Sequence, residues 1–305
     1  MDDNTTEFLK DWAWWIAGGA AVLVLLVLLI FVYRSGDEPD RAPEIRVPQV
    51  DIEPEPEETG PKHPLPPPDA GFVTPAEEAP PPLPPLEESD PSITSALGEL
   101  IGADAVRRHV VKESIIPSIV VTLDNLPRDE VALRLRAINP VRGPFTPSLQ
   151  EGEFEPGEEH YEIQQEDFER YEPLVKLVES LDTDELVAIY RRHYPLFQNA
   201  YVDLGYPQEY FNDRLVEVID HLLETPEVEA PIELTRPHVL YEFADPELEE
   251  LSAGQKALVR MGPENATVVK EKLREIRAAV SETTPPDAPF RTTPRLPGES
   301  RDPVE

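Results

Sequence analysis

Three regimes of hydrophobic patterning follow one another along the chain. From Trp12 to Tyr33 the residues WAWWIAGGAAVLVLLVLLIFVY run without a charge. From 34 to 91 apolar residues are thin and scattered among Pro and Glu, and from 92 to 280 they return with a helical period. The first run is about 22 residues, roughly 30 Å as a helix, which matches one bilayer crossing. It is apolar on every side, as a helix in water is not. Trp12, Trp14 and Trp15 gather at one end and Tyr33 at the other, where amphipathic rings sit at the headgroup level, and Asp11 and Arg34 bracket the run. A cleavable signal peptide would need a basic start, a shorter apolar core and a small-residue cut site. The start here is MDDNTTEF and the core is too long.

In the third regime Ile93, Leu97, Leu100 and Ile101 predict a short helix, and Val106, Val110 and Val111 a second. Ile115 to Leu126 is apolar but carries Pro117, so a helix beginning there and a buried strand both fit. The clearest stretch is Thr183 to Gly205, with Leu186, Ile189, Tyr190, His193, Phe197, Tyr201 and Leu204 on one face. Thr183 is its expected capped start, and Gly205 before Pro207 its stop. Pro207 is expected to open the next helix, whose stripe is Phe211, Leu215, Val218, Ile219, Leu222 and Leu223. Phe168, Tyr171, Leu174, Val175 and Val178 predict another, and Val268, Val269, Leu273, Ile276 and Val280 the last. VALRLRAI alternates with period 2, Phe145 to Ile163 reads as a hairpin around GEFEPGEEH, and Ile232, Leu234, Val239 and Leu240 offer a short strand pair.

The expected fold is mainly α. A short N-terminal tail (1–11) leads to one transmembrane helix (12–33), a disordered acidic proline-rich linker (34–91), a helical globular domain with a small β element (92–280) and a disordered tail (281–305). The linker buries too little to offset the entropy of ordering, and its roughly 55 residues could reach on the order of 150 Å. Its HPLPPPDA and PPPLPPL runs also suit an aromatic groove, although a plain spacer is the simpler reading.

Charge narrows the partners. A net charge of -34 repels phosphate backbones and argues against nucleic acid, and the absence of cysteine excludes disulfides, thiolate metal sites and a cysteine nucleophile. Lys10 alone precedes the span while Arg34, Arg41 and Arg46 follow it, which by itself places the large domain in the cytoplasm. Asp37, Glu38, Asp40 and Glu44 dilute those arginines, and an anchor followed by a proline-rich spacer is the layout of many bacterial envelope proteins. The expectation is therefore a single-pass protein of the bacterial inner membrane with its domain in the periplasm.

Candidate chemistry is sparse. No phosphate-cradling glycine loop, nucleophile elbow or paired metal-ligand histidines occur, and no cofactor or metal is expected. His193 lies on an apolar helix face, where a satisfied core histidine competes with an acid–base role. Asp245, Glu247, Glu249 and Glu250 could pair for hydrolysis, or simply open a helix. Arg128, Arg134, Arg136 and Arg142 form a basic run in an acidic domain. They are candidates for gripping an anionic group or partner, unless they pair with Glu151, Glu153, Glu155, Glu158 and Glu159 of the hairpin. The aromatic residues Tyr190, Tyr194, Phe197, Tyr201, Tyr206, Tyr210 and Phe211 suit a core, with part of a binding surface as the alternative.

The segments DNLP at 124, ERYEPLV at 169, LVAIYRRHYPLFQNAYVDLGYP from 186 and YEFADPELEELSAGQKALVRMGPEN from 241 resemble, in that order, a bacterial family known as domain of unknown function 3014. The resemblance covers about residues 92 to 280. It implies a membrane-anchored bacterial protein of the same layout and supplies no activity, substrate or catalytic residue. Two functions remain in view: a non-enzymatic module that binds an envelope protein or cell-wall component, and an envelope hydrolase using convergent carboxylates and His193.

Overall fold

The computed structural model describes residues 60–65, 82–129, 137, 139, 141, 143–152, 159–238 and 240–281. The expected span with Trp12, Trp14, Trp15 and Tyr33, most of the linker, the alternating segment with Arg134 and Arg136, Arg142, and the tail after Ser281 lie outside these residues. Among the described residues no helix is long and apolar enough to cross a membrane.

A 3-10 turn at Leu86–Glu88 leads into α1 (Asp90–Ile101), α2 (Ala103–His109) and α3 (Ile115–Asn125). Strands β1 (Ser148–Leu149) and β2 (His160–Glu162) follow, then α4 (Gln165–Glu169), α5 (Glu172–Glu179), α6 (Thr183–Leu204) and α7 (Phe211–Leu223). Strands β3 (Glu233–Thr235) and β4 (Glu242–Phe243) precede α8 (Pro246–Glu249), α9 (Ala253–Arg260) and α10 (Pro263–Ser281). The fold is mainly helical with a small antiparallel sheet of order β1-β2-β3-β4, in which Ser148 faces Glu162, Tyr161 faces Leu234, and Leu234 faces Phe243.

Several element limits differ from the expectation. Ile115 to Asn125 is a helix, and Pro117 is tolerated because it falls in the first turn, where backbone N–H groups have no intrahelical acceptor. The stretch from Phe168 to Val178 is two helices broken at Arg170 and Tyr171. Asp182, not Thr183, caps α6, its carboxylate accepting from the N–H groups of Asp184 and Glu185 at 2.9 Å each. Pro207 lies in a turn rather than in α7, which opens at Phe211; the Phe211 N–H donates to the Gln198 side chain at 2.9 Å. Within the linker expected to be unfolded, residues 60–65 and 82–89 pack on the domain, with Leu65, Leu83 and Leu86 against its core. The disorder expected over 34–91 is corrected for these two stretches, because each carries leucine that the domain can bury.

α6 occupies the centre, in contact with α1, α3, α7 and α10. Its stripe of Leu186, Ile189, Tyr190, His193, Phe197 and Tyr201 is buried as expected, but Leu204, in the last turn, is exposed. Each fully buried Leu or Phe of this core contributes about 2 kcal/mol. Phe197 stacks on Phe211 with centroids 5.7 Å apart, and Tyr201 on Tyr206 at 4.6 Å, so the aromatic residues of the α6–α7 corner are chiefly core. A second, smaller core of Ile163, Phe168, Ile232, Leu234, Phe243 and Val259 lies against the sheet.

Gly262, between α9 and α10, adopts φ +88° and faces the Phe168 ring, so that an added Cβ would stand 2.8 Å from two ring carbons. Gly262→Ala combines a left-handed backbone with overpacking and is expected to cost about 2 to 4 kcal/mol. Urea denaturation of the purified variant against the parent measures it.

Candidate functional site

The side chains capable of chemistry sit where helices meet. The last turn of α3 turns Asp124 inward, leaving it 3% exposed. Its carboxylate accepts from Arg214 Nε on α7 at 3.0 Å, from the Tyr206 hydroxyl at 3.2 Å and from Arg128 Nη2, while its backbone carbonyl accepts from Arg214 Nη2 at 3.0 Å. Arg128 also donates to the Tyr206 hydroxyl at 3.1 Å. Two guanidinium groups and a phenol around one buried carboxylate make a strut tying α3 to α7 and to the loop after α6. Arg128 thus finds its carboxylate one helical turn back, at Asp124, where the expectation had looked to the hairpin acids. Arg134, Arg136 and Arg142, the rest of the expected basic run, lie outside the described residues.

His193 is fully buried. Its Nδ1 lies 2.9 Å from the Ile189 carbonyl, which can only accept, so the proton sits on Nδ1 and Nε2 accepts from the Ser92 hydroxyl at 3.2 Å. Burial pushes its pKa below the ordinary value, in keeping with a neutral ring. His221, on α7, makes a second such pair: the Ser252 hydroxyl is 2.8 Å from Nε2 and also accepts from the Gln255 N–H, while Gln255 Nε2 donates to the His221 carbonyl at 3.1 Å. Ser252 and Gln255 form the capping box of α9, so this serine and histidine clasp one helix start to its neighbour. Burial lowers the His221 pKa as well.

Two of the four carboxylates in the acidic run hold structure in the same way. Asp245 caps α8 by accepting from the Glu247 N–H, and Glu249 accepts from the Phe243 N–H at 2.8 Å and from Lys256 Nζ at 2.8 Å. Among the aromatics, the Tyr190 hydroxyl donates to Asn212 Oδ1 at 3.1 Å and the Tyr194 hydroxyl to Gln198 Oε1 at 3.0 Å, with burial pushing the Tyr194 phenol up to about 12. Among the described residues no three His, Cys, Asp or Glu side chains cluster as a metal site would require.

Sequence reasoning passed over Asp124, Asn212 and Asp213. Asn212 is 1% exposed, and its amide nitrogen donates to the Val280 carbonyl at 3.1 Å and to the His63 carbonyl at 2.8 Å. For Asp124 the i,i+4 spacing to Arg128 in DNLPR was a usable signal. The other two are one polar pair at a helix start, a pattern too common to stand out.

Replacing Asp124 by Asn leaves Arg214 and Arg128 facing a neutral amide. The expected loss is about 2 to 3 kcal/mol, less than for a fully buried pair because both arginines are partly exposed, read as a lowered urea midpoint. The two histidines predict a pH dependence. With folded pKa values depressed, the unfolded chain takes up protons first as pH falls through about 6.5, so stability is full above that value and declines below it. The His193→Asn/His221→Asn double variant is expected to show a flatter stability profile between pH 7 and 5 than the parent, relative to each protein's own value at pH 7.5.

Neither the curated proteins nor the solved structures include a match to this chain. A family model described as "Protein of unknown function (DUF3014)" matches residues 115–277, which takes in the elements from α3 through most of α10. That match spans more than half of the chain and agrees with the resemblance carried by the DNLP, ERYEPLV and longer segments. The chain belongs to this family of unknown function.

Proposed function

We propose that the chain is a single-pass protein of the bacterial inner membrane whose helical domain, on the periplasmic side, binds an envelope protein or cell-wall component at a distance set by its tether. What carries the non-enzymatic reading is the employment of the reactive side chains. His193, His221, Asp124 and Glu249 each hold helices or strands together through named hydrogen bonds. A general acid or base needs a proton path to a substrate atom, and His193 has both ring nitrogens engaged in a closed core. The hydrolase alternative draws correspondingly less support. The anchor rests on the uncharged run from Trp12 to Tyr33, and the periplasmic side on the acid-diluted flank and the spacer layout.

Because the chain has no cysteine, Thr94→Cys on the exposed side of α1 supplies a single reporter. It is expected to react with a membrane-impermeant thiol reagent in intact cells whose outer membrane has been permeabilised; absence of labelling overturns the periplasmic placement. In the same cells, crosslinking through the tethered domain is expected to recover one stoichiometric partner. Turnover of purified wall material by the purified chain would instead establish the hydrolase.

A further inference from the structure

Residues 60–65, Gly-Pro-Lys-His-Pro-Leu, lie across the amino-terminal end of α7. The Asp213 carboxylate accepts from two successive backbone N–H groups, Lys62 at 2.9 Å on one oxygen and His63 at 2.7 Å on the other. The Asn212 amide donates to the His63 carbonyl at 2.8 Å, Lys62 Nζ donates to Glu217 at 3.2 Å, and Leu65 packs against the main core. Three of these contacts read backbone, and two successive N–H groups converge on one carboxylate because the chain bends at Lys62 and His63, so they recognise a bent peptide backbone. Glu217 adds a preference for a cation at the first position, and the core edge one for an apolar residue three places on. Pro61 and Pro64 restrict the segment before it docks, which lowers the entropy lost on binding.

One part of the receiving surface, Asn212, is oriented independently of this segment. Asn212 is buried, and its orientation is set from within the domain by the Tyr190 hydroxyl and the Val280 carbonyl. Lys62 is also the only lysine between Arg34 and Pro91, so this cation stands in a stretch otherwise rich in acid.

We propose that the amino-terminal end of α7 is a binding site for a bent, proline-flanked peptide with a leading lysine, and that the tether's own 60–65 segment occupies it as a competitor in cis. The proposal rests on the reading of the domain as a binding module and names the class of partner: a basic, proline-containing segment of another protein. A ligand on the same chain is present at millimolar effective concentration, so contacts as exposed as Lys62 with Glu217 suffice to keep it bound. While it is bound, the chain between the expected span and the first held residue is 34–59, about half the length of 34–81, after which Leu83 and Leu86 are held on the core. Exchange for a peptide in trans therefore releases the other half.

The test uses the full chain purified in detergent. With spin labels on Gly60→Cys and Ala278→Cys, the otherwise unchanged chain is expected to give a short, narrow distance distribution. Adding His63→Pro, which deletes one N–H donor in the tether and leaves the domain intact, or Asp213→Ala is expected to lengthen and broaden it. A dye-labelled Gly-Pro-Lys-His-Pro-Leu peptide is expected to bind the His63→Pro chain at least tenfold more tightly than the parent and to lose that binding when Asp213→Ala is added. Urea midpoints confirm that each variant is folded. A broad distribution in the parent, absence of peptide binding to the His63→Pro chain, or equal binding to parent and variant overturns the site. A cellular partner captured equally by the parent and by Asp213→Ala overturns this site while leaving the binding-module reading standing.

Discussion

The constraint on which this structure depends is the need to satisfy helix ends. A fold made of many short helices has a high proportion of terminal residues, and each terminus leaves backbone groups without an intrahelical partner. Buried among other helices, those groups cannot turn to water, so side chains from elsewhere must reach them. Lys272 Nζ donates to the Leu181 carbonyl beyond α5 at 2.9 Å, and Lys270 Nζ to the Thr225 carbonyl beyond α7 at 2.5 Å. Arg191 and Asn212 take the Ala279 and Val280 carbonyls at the end of α10, and Asn265 takes the Phe168 carbonyl in α4. Leu126 and Arg128, just after α3, present their own carbonyls to the first N–H groups of α9.

That requirement explains the placement of cations in a strongly acidic chain. Lys256, Arg260, Lys270 and Lys272 are among the buried residues, and burial lowers the Lys270 pKa. Their long stems pack along the core while their heads complete carbonyls that neutral residues of the same reach would leave open. The same logic occupies the histidines and serines. Of the two Ser–His pairs, one takes in the serine of a helix cap and the other closes the seam between α1 and α6.

Periodicity made the helices legible: the stripes of α6, α7 and α10 were visible as residue types three and four apart, and Gly205 marked a true end with φ +119°. Position-specific exceptions were not. Pro117 looked like an interruption and is harmless in a first turn, whereas Pro207 looked like a helix start and sits in a turn, because the start of α7 is set by Gln198, thirteen residues away. Of the candidate site, only Arg128 among the named arginines could be placed, and its partner was readable as an i,i+4 pair. The docking of 60–65 was nearly invisible, since most of its hydrogen bonds come from backbone and backbone leaves no mark on composition. Only the isolated lysine and the HPL run hinted at it.

The docked segment also decides how the domain would bear load. A pull arriving from the amino-terminal side meets the domain first at α7, through Asp213, Asn212 and Glu217, and not at Asp90, where the helices begin. Those contacts are few, mostly polar and partly exposed, with Leu65 at the core edge the one apolar hold, so they would yield before any element of the core. Once they do, the chain from 66 to 81, up to the held Leu83 and Leu86, is added to the line and tension falls. In mechanical terms the segment would act as a sacrificial link, yielding ahead of the Leu83 and Leu86 contacts that precede α1.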